Sequence, residues 1–150
     1  MATLKPFSES LRRLLPGLWF GVLLAIALIA TPAASGSLDK ASFGAMARAI
    51  FAREAPTSLV FGVLILVIER RDALARHLAT GVSQFSTEMM LAAGALFCTV
   101  AGYYGLLPAM EQARAGVVTG LTFLQLHALS LAFFGLKGLL VLALAWKATR

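Results

Sequence analysis

The 150-residue chain has 13 Lys and Arg and 7 Asp and Glu, so 13% of its residues are charged while 59% are apolar. A soluble domain carries about 25% charged residues. With a mean hydropathy of +0.84, this excludes a disordered chain, a disulfide-stapled secreted module and an ordinary cytosolic enzyme, and points to one small integral membrane domain over 1–150. The formal charge of +6 would suggest nucleic acid in a soluble protein. Here the basic residues flank apolar runs, and no nucleic-acid partner is expected.

A membrane helix needs about 20 mostly apolar residues. The first candidate, 14–34, carries no charge, and Pro32 stands near its far end to stop or bend it. Lys5, Arg12 and Arg13 before this run imitate a secretory signal, as does Thr31-Pro32-Ala33-Ala34-Ser35 after it. The apolar stretch is about 17 residues, longer than the usual apolar region of a signal, so a retained first helix is expected. Between 39 and 53, Phe43, Met46, Ile50 and Phe51 recur at helical spacing with Arg48 on the other face. That suits an amphipathic segment on the outer surface or the lower part of a long second helix.

The second span, about 50–69, has a dense apolar core only from Thr57 to Ile68 and takes Arg53 and Glu54 into an interfacial turn. A basic middle loop, 70–87, follows with Arg70, Arg71, Arg76 and His77. The third span, 89–107, ends at Tyr103, Tyr104 and Pro108. The fourth, 121–146, is clean except for Lys137 and closes on Trp146 and Lys147, an aromatic belt with a basic anchor. The fold class expected is all-α: a four-transmembrane-helix bundle with an outer amphipathic segment after the first helix and a basic cytoplasmic middle loop.

Four spans leave both termini on one side. Eight Lys and Arg lie on the terminal side and middle loop against four (Lys40, Arg48, Arg53 and Arg114) on the other. The positive-inside rule therefore places both termini in the cytoplasm. Arg12, Arg13, Arg70, Arg71 and Arg76 would meet anionic lipid headgroups. A second copy of the chain or another membrane protein is a possible partner.

Glycines recur at packing distance: Gly17 and Gly21, Gly102 and Gly105, Gly116 and Gly120, Gly135 and Gly138. Cys98, the single cysteine, reads as a small packing residue. On the fourth helix Gly120, Phe123, His127, Ser130, Phe134, Gly138 and Val141 share a face that should point inward, with Lys137 on its flank and Leu126, Leu129, Leu136 and Leu140 nearer lipid. Three roles suit His127: a structural hydrogen bond to a neighbouring helix, a proton or ligand contact, or an axial metal or haem ligand. Haem held by two histidines of one chain fails, because His77 and His127 fall on opposite sides. Metal sites also need several converging ligands, and neither a metal nor a cofactor is expected. Lys137 either snorkels to the headgroups or finds an internal partner such as a carbonyl, a tyrosine or an anionic ligand.

His127, Ser130, Lys137 and Tyr104 are thus the candidate ligand or proton contacts. No catalytic set emerges: Glu88 and Glu111 stand a helix length apart, and no nucleophile elbow is present. A non-enzymatic accessory or small-solute-handling protein is expected. The alternatives are a membrane enzyme or cofactor protein using His127 and Lys137, and an oligomeric transporter or channel.

Leu18-Trp19-Phe20-Gly21 followed by Pro32, Tyr104-Gly105-Leu106-Leu107-Pro108-Ala109-Met110 with Arg114, and Leu126-His127-Ala128-Leu129-Ser130 stand in this order along the chain. The pattern resembles the four-helix membrane proteins similar to transmembrane protein 205, and specifically their bacterial branch of unknown function. The resemblance implies a four-helix bundle with cytoplasmic ends and supplies no activity. Two positions depart from it: Gln125 stands where that family often has Arg, and Phe134 where it often has Asn.

Overall fold

A computed structural model describes residues 4–117 and 120–150, with side chains described from residue 9. Four helical stretches in it are long and apolar enough to cross a membrane: Glu9–Ser37, Lys40–Thr80, Thr87–Arg114 and Phe123–Ala148. No strand occurs among the described residues.

The first stretch is α1 (Leu4–Ala25), a π-helical turn (Ile26–Ala30) and α2 (Thr31–Ser37). The π turn explains how the helix continues past Pro32, which has no N–H to donate. Thr31 donates to the Ile26 carbonyl five residues back, and the widened turn makes room for the ring. The same device precedes Pro108. There α4 (Thr87–Thr99) passes through a π-helical segment (Val100–Gly105) into α5 (Leu107–Arg114), so the helical stretch continues past Pro108.

α3 (Lys40–Thr80) is one helix of 41 residues. Its first third is the expected amphipathic segment, which is therefore the lower part of a long second helix, the second of the two readings of 39–53. The helix also absorbs most of the expected middle loop: Arg70, Arg71, Arg76 and His77 are helical, and the connection is only 81–86. Both ends are specified locally. The Asp39 carboxylate caps the first turn by accepting from Ala41 and Ser42 N–H, and hydrogen bonds from Ser42 foremost hold it below its ordinary value. At the other end Gly81 takes the left-handed conformation that stops a helix. α6 (Phe123–Ala148) opens on a capping box between Thr122 and Gln125, a structural use for the glutamine that departs from the resembled pattern.

In cross-section the helices form a ring: α1 packs on α3 and α6, and α4 packs on α3 and α6. α1 and α4 therefore lie across one diagonal, α3 and α6 across the other. The dry core fills the half nearer the termini, built from Trp19, Leu23, Ile65, Ala92, Ala95, Val141 and Leu144. Leu126 is buried too, a correction to its expected lipid-side position. The outward faces carry exposed Leu18, Leu28, Val63, Phe97, Leu124 and Leu139. So much uncovered apolar surface needs a hydrocarbon solvent, and the chain is an integral membrane protein.

Close helix contact comes from glycines other than most of those expected. A Cβ at Gly62 would lie 2.5 Å from Leu96 and 3.2 Å from Trp19. One at Gly102 would meet the Cβ of Phe133. Gly17, Gly21, Gly120, Gly135 and Gly138 face open space, and Gly116 serves a turn with φ of +77°. Among those eight the expected close packing holds at Gly102 alone, since an added Cβ at Gly105 would meet only its own segment's Val100 carbonyl and at the other positions no neighbour.

Candidate functional site

The buried stripe of α3 reads Glu54, Ser58, Gly62, Ile65, Glu69 and Ala73, the three-to-four spacing of an inward helix face. Two carboxylates on an inward face need partners, since an unpaired buried charge is costly. Glu54 finds one across the diagonal: Lys137 Nζ donates to its Oε1 at 2.6 Å. Both side chains are buried, Lys137 at 3% and Glu54 at 4% exposure. The Ser58 hydroxyl donates to the same oxygen, and Trp19 Nε1 donates to Ser58 Oγ at 2.8 Å. The chain Trp19–Ser58–Glu54–Lys137 thus links α1, α3 and α6. Of the two readings of Lys137, the internal partner holds in place of snorkelling, and that partner is Glu54, expected from the sequence in an interfacial turn.

This pair is the floor of a cavity of about 640 Å³ in the half of the ring farther from the termini. α3 contributes the face from Lys40 through Arg48 and Phe51 to Glu54. The α4–α5 stretch contributes Cys98, Thr99, Gly102, Tyr103, Met110 and Arg114. α6 contributes Phe123, His127, Ser130, Phe134 and Lys137. Most of the inward face expected on α6 therefore lines one cavity. Phe51 and Phe134 meet edge to face at 5.5 Å between centroids, and Lys137 Nζ lies 5.0 Å from the Phe134 ring centre.

The expected site residues divide as follows. Ser130 donates to the Gly102 carbonyl at 3.1 Å, so it is the polar link between α6 and the third stretch. His127 stacks on Phe123 at 6.0 Å, is exposed towards the mouth, and makes no hydrogen bond to a described residue. Tyr104 does not line the cavity and is 42% exposed; Tyr103 takes the inner position. The inward stripe Ala92, Ala95, Thr99 continues to Tyr103 four residues on, and the next residue projects about 100° away. No group of three metal-ligating side chains occurs among the described residues.

At the other end of the ring, Arg12 Nε donates to Glu69 Oε1 at 2.6 Å and its Nη1 lies 3.3 Å from Asp72. Lys147 Nζ lies 3.3 Å from Glu88. These contacts tie α1 to α3 and α4 to α6. Arg13 pairs with Glu9 one turn earlier at 2.9 Å. Arg70, Arg71 and Arg76 are exposed, with no described carboxylate in ion-pair contact. Glu54 and Glu69 are the two buried carboxylates that sequence reasoning did not place inside. Their signal was the spacing of the small residues Ser58 and Gly62 between them, which marks the stripe as inward.

Residues 14–119 match a protein family described as a domain of unknown function, DUF4149, and the chain belongs to that family. No curated protein and no solved structure matches it.

Proposed function

Taking membership of that family as premise, we propose that the protein is a non-enzymatic, small-solute-binding protein of the bacterial inner membrane whose site is the cavity above Glu54 and Lys137. The observation that carries this reading is the cavity itself. Its roughly 640 Å³ falls within the range of about 300–1,000 Å³ usual for ligand sites, and apolar walls surround a few polar groups. Binding without turnover fits a floor whose charges neutralise each other. The enzyme alternative draws less support, because His127 stands ten residues above Lys137, about 15 Å along the helix. A channel within one copy is disfavoured by the dry core that closes the other half of the ring.

The basic residues favour cytoplasmic termini, which directs the cavity mouth outward. The exposed Arg70, Arg71 and Arg76 would then meet the inner headgroups, together with Arg12 and Arg13 where their carboxylate partners leave them free. Relation to the proteins similar to transmembrane protein 205 is part of the same proposal and rests on the three sequence patterns given above.

Thiol labelling tests the reading. In a Cys98→Ser background, His127→Cys should react with a membrane-impermeant thiol reagent added outside intact cells, whereas Arg76→Cys should react only after the membrane is opened. In delipidated protein, adding back a membrane extract should slow labelling at position 127, and Ala47→Trp, which fills the cavity, should abolish that protection. Reaction of position 76 from outside would overturn the orientation. An extract that never protects position 127 would overturn the binding function.

A further inference from the structure

The floor of the cavity is self-neutralised, so any charge preference of its ligand must be set at the mouth. Lys40, Arg48 and Arg114 stand there, with Glu111 as the one carboxylate lining that end among the described residues; Asp39, beside Lys40, caps the first turn of α3. The four lining residues are exposed, and none of the three cations has a described carboxylate in ion-pair contact. Arg114 is held in place by Phe123, its guanidinium carbon 4.9 Å from the ring centre. The mouth thus offers three donors of positive charge from two different helices, against one acid. Phe43 stands among these cations, between Lys40 and Arg48 on α3, and below them the walls are apolar at Phe51, Leu107, Met110 and Phe134. Lys40 and Glu54 are fourteen residues apart on α3, about 21 Å along the axis, so this gradient from basic to apolar is long.

We infer that the ligand is an anionic amphiphile, with a phosphate, sulfate or carboxylate head among Lys40, Arg48 and Arg114 and an apolar tail directed towards the Glu54–Lys137 floor. The inference rests on the solute-binding reading above and specifies its ligand. Size agrees with it. At about 30 Å³ per water-sized group, the cavity holds on the order of twenty such groups. A phosphate head with a tail of about a dozen carbons fills that space. A free phosphate would leave the apolar walls wet, and a neutral or cationic amphiphile would leave the three cations unanswered. In this arrangement Glu111 opposes binding.

Photolabelling distinguishes these cases. The full chain, placed in phosphatidylcholine nanodiscs, is exposed to three dodecyl probes with a diazirine at the tail end and a phosphate, hydroxyl or trimethylammonium head. The phosphate probe should label walls such as Phe51 and Phe134, and unlabelled dodecyl phosphate should compete while inorganic phosphate does not. Lys40→Gln/Arg48→Gln/Arg114→Gln should lower that labelling by about tenfold or more, from the usual worth of a basic residue near an anionic headgroup. Glu111→Gln should raise it, a gain that misfolding would not produce. Competition by phosphatidylglycerol in the disc supports the inference with membrane lipid as the source. Competition by dodecyl phosphate alone supports it with a soluble amphiphile. Equal cavity labelling by all three heads, or no effect of the triple substitution, overturns the anionic preference while leaving a solute site standing. Competition by inorganic phosphate overturns the role of the tail. Failure of every probe to label the cavity overturns both the inference and the solute-binding reading.

Discussion

Removing one partner of the Glu54–Lys137 pair should destabilise the protein far more than removing both. The gross attraction is large. At 2.6 Å and an effective dielectric of about 20, two unit charges attract by about 6 kcal/mol. Most of that offsets the cost of taking both groups out of water, so the pair adds little over a well-packed neutral substitute. A single change leaves the other charge buried and alone, which costs about 3–5 kcal/mol. Lys137→Met strands the Glu54 carboxylate with only Ser58 to donate to it, and Glu54→Gln strands the ammonium beneath the Phe134 ring. In Glu54→Gln/Lys137→Met the glutamine still accepts from Ser58, and the methionine fills the volume of the lysine stem. For a chain of this size, where 1 kcal/mol shifts the midpoint by about 2–4 °C, each single variant should melt about 6–20 °C lower. The double variant should return to within about 4 °C of the parent. Melting followed by size-exclusion of a fluorescent fusion in mild detergent reads all four proteins in one cycle. A double variant as unstable as the sum of the singles would refute the reasoning, since it would mean that the two charges do not stabilise one another.

Glycine substitutions make a second test. Gly102→Ala pushes a methyl into the Cβ of Phe133 and should cost about 1–3 kcal/mol by overpacking, whereas Gly17→Ala faces open space and should be neutral or slightly stabilising in the same melting assay. Asp39→Ala should lower stability at neutral pH by uncapping α3. Because hydrogen bonds hold the folded-state Asp39 carboxyl below its ordinary value, its contribution is present above the unfolded carboxylate range and is lost as pH falls through the folded value. The gap between parent and Asp39→Ala should therefore close on acidification, as pH-dependent melting curves would record.

The four helices were legible because apolar run length is a strong signal, and the inward α6 face from Phe123 to Lys137 was legible from its period. What escaped has physical causes. The far end of α3 escaped because a helix can extend beyond hydrocarbon, so the charged stretch after Ile68 looks like a loop, whereas before Thr57 the reading of a long second helix holds. Glu54 was misplaced because its neighbour Arg53 made the pair look interfacial, although the four-residue steps to Ser58 and Gly62 put it inward. Glu69 vanished among the basic residues that follow it, and Arg12 read as a lipid contact when its nearest partner is that buried carboxylate. Tyr103 and Tyr104 look alike as interfacial aromatics in the sequence, and only the inward stripe of α4 separates the lining Tyr103 from the exposed Tyr104. Glycine spacing was the weakest guide, since spacing tells which residues share a face but not whether that face meets a helix or lipid.

The most direct measurement is the mass of the intact protein released gently from its own membrane. The wild-type protein should retain a non-protein mass of amphiphile size that survives removal of detergent. Ala47→Trp, which fills the cavity between Lys40 and Phe51, should keep its fold and lose that mass. A wild-type chain that carries nothing, or a mass that Ala47→Trp retains unchanged, would contradict a ligand site above the Glu54–Lys137 floor.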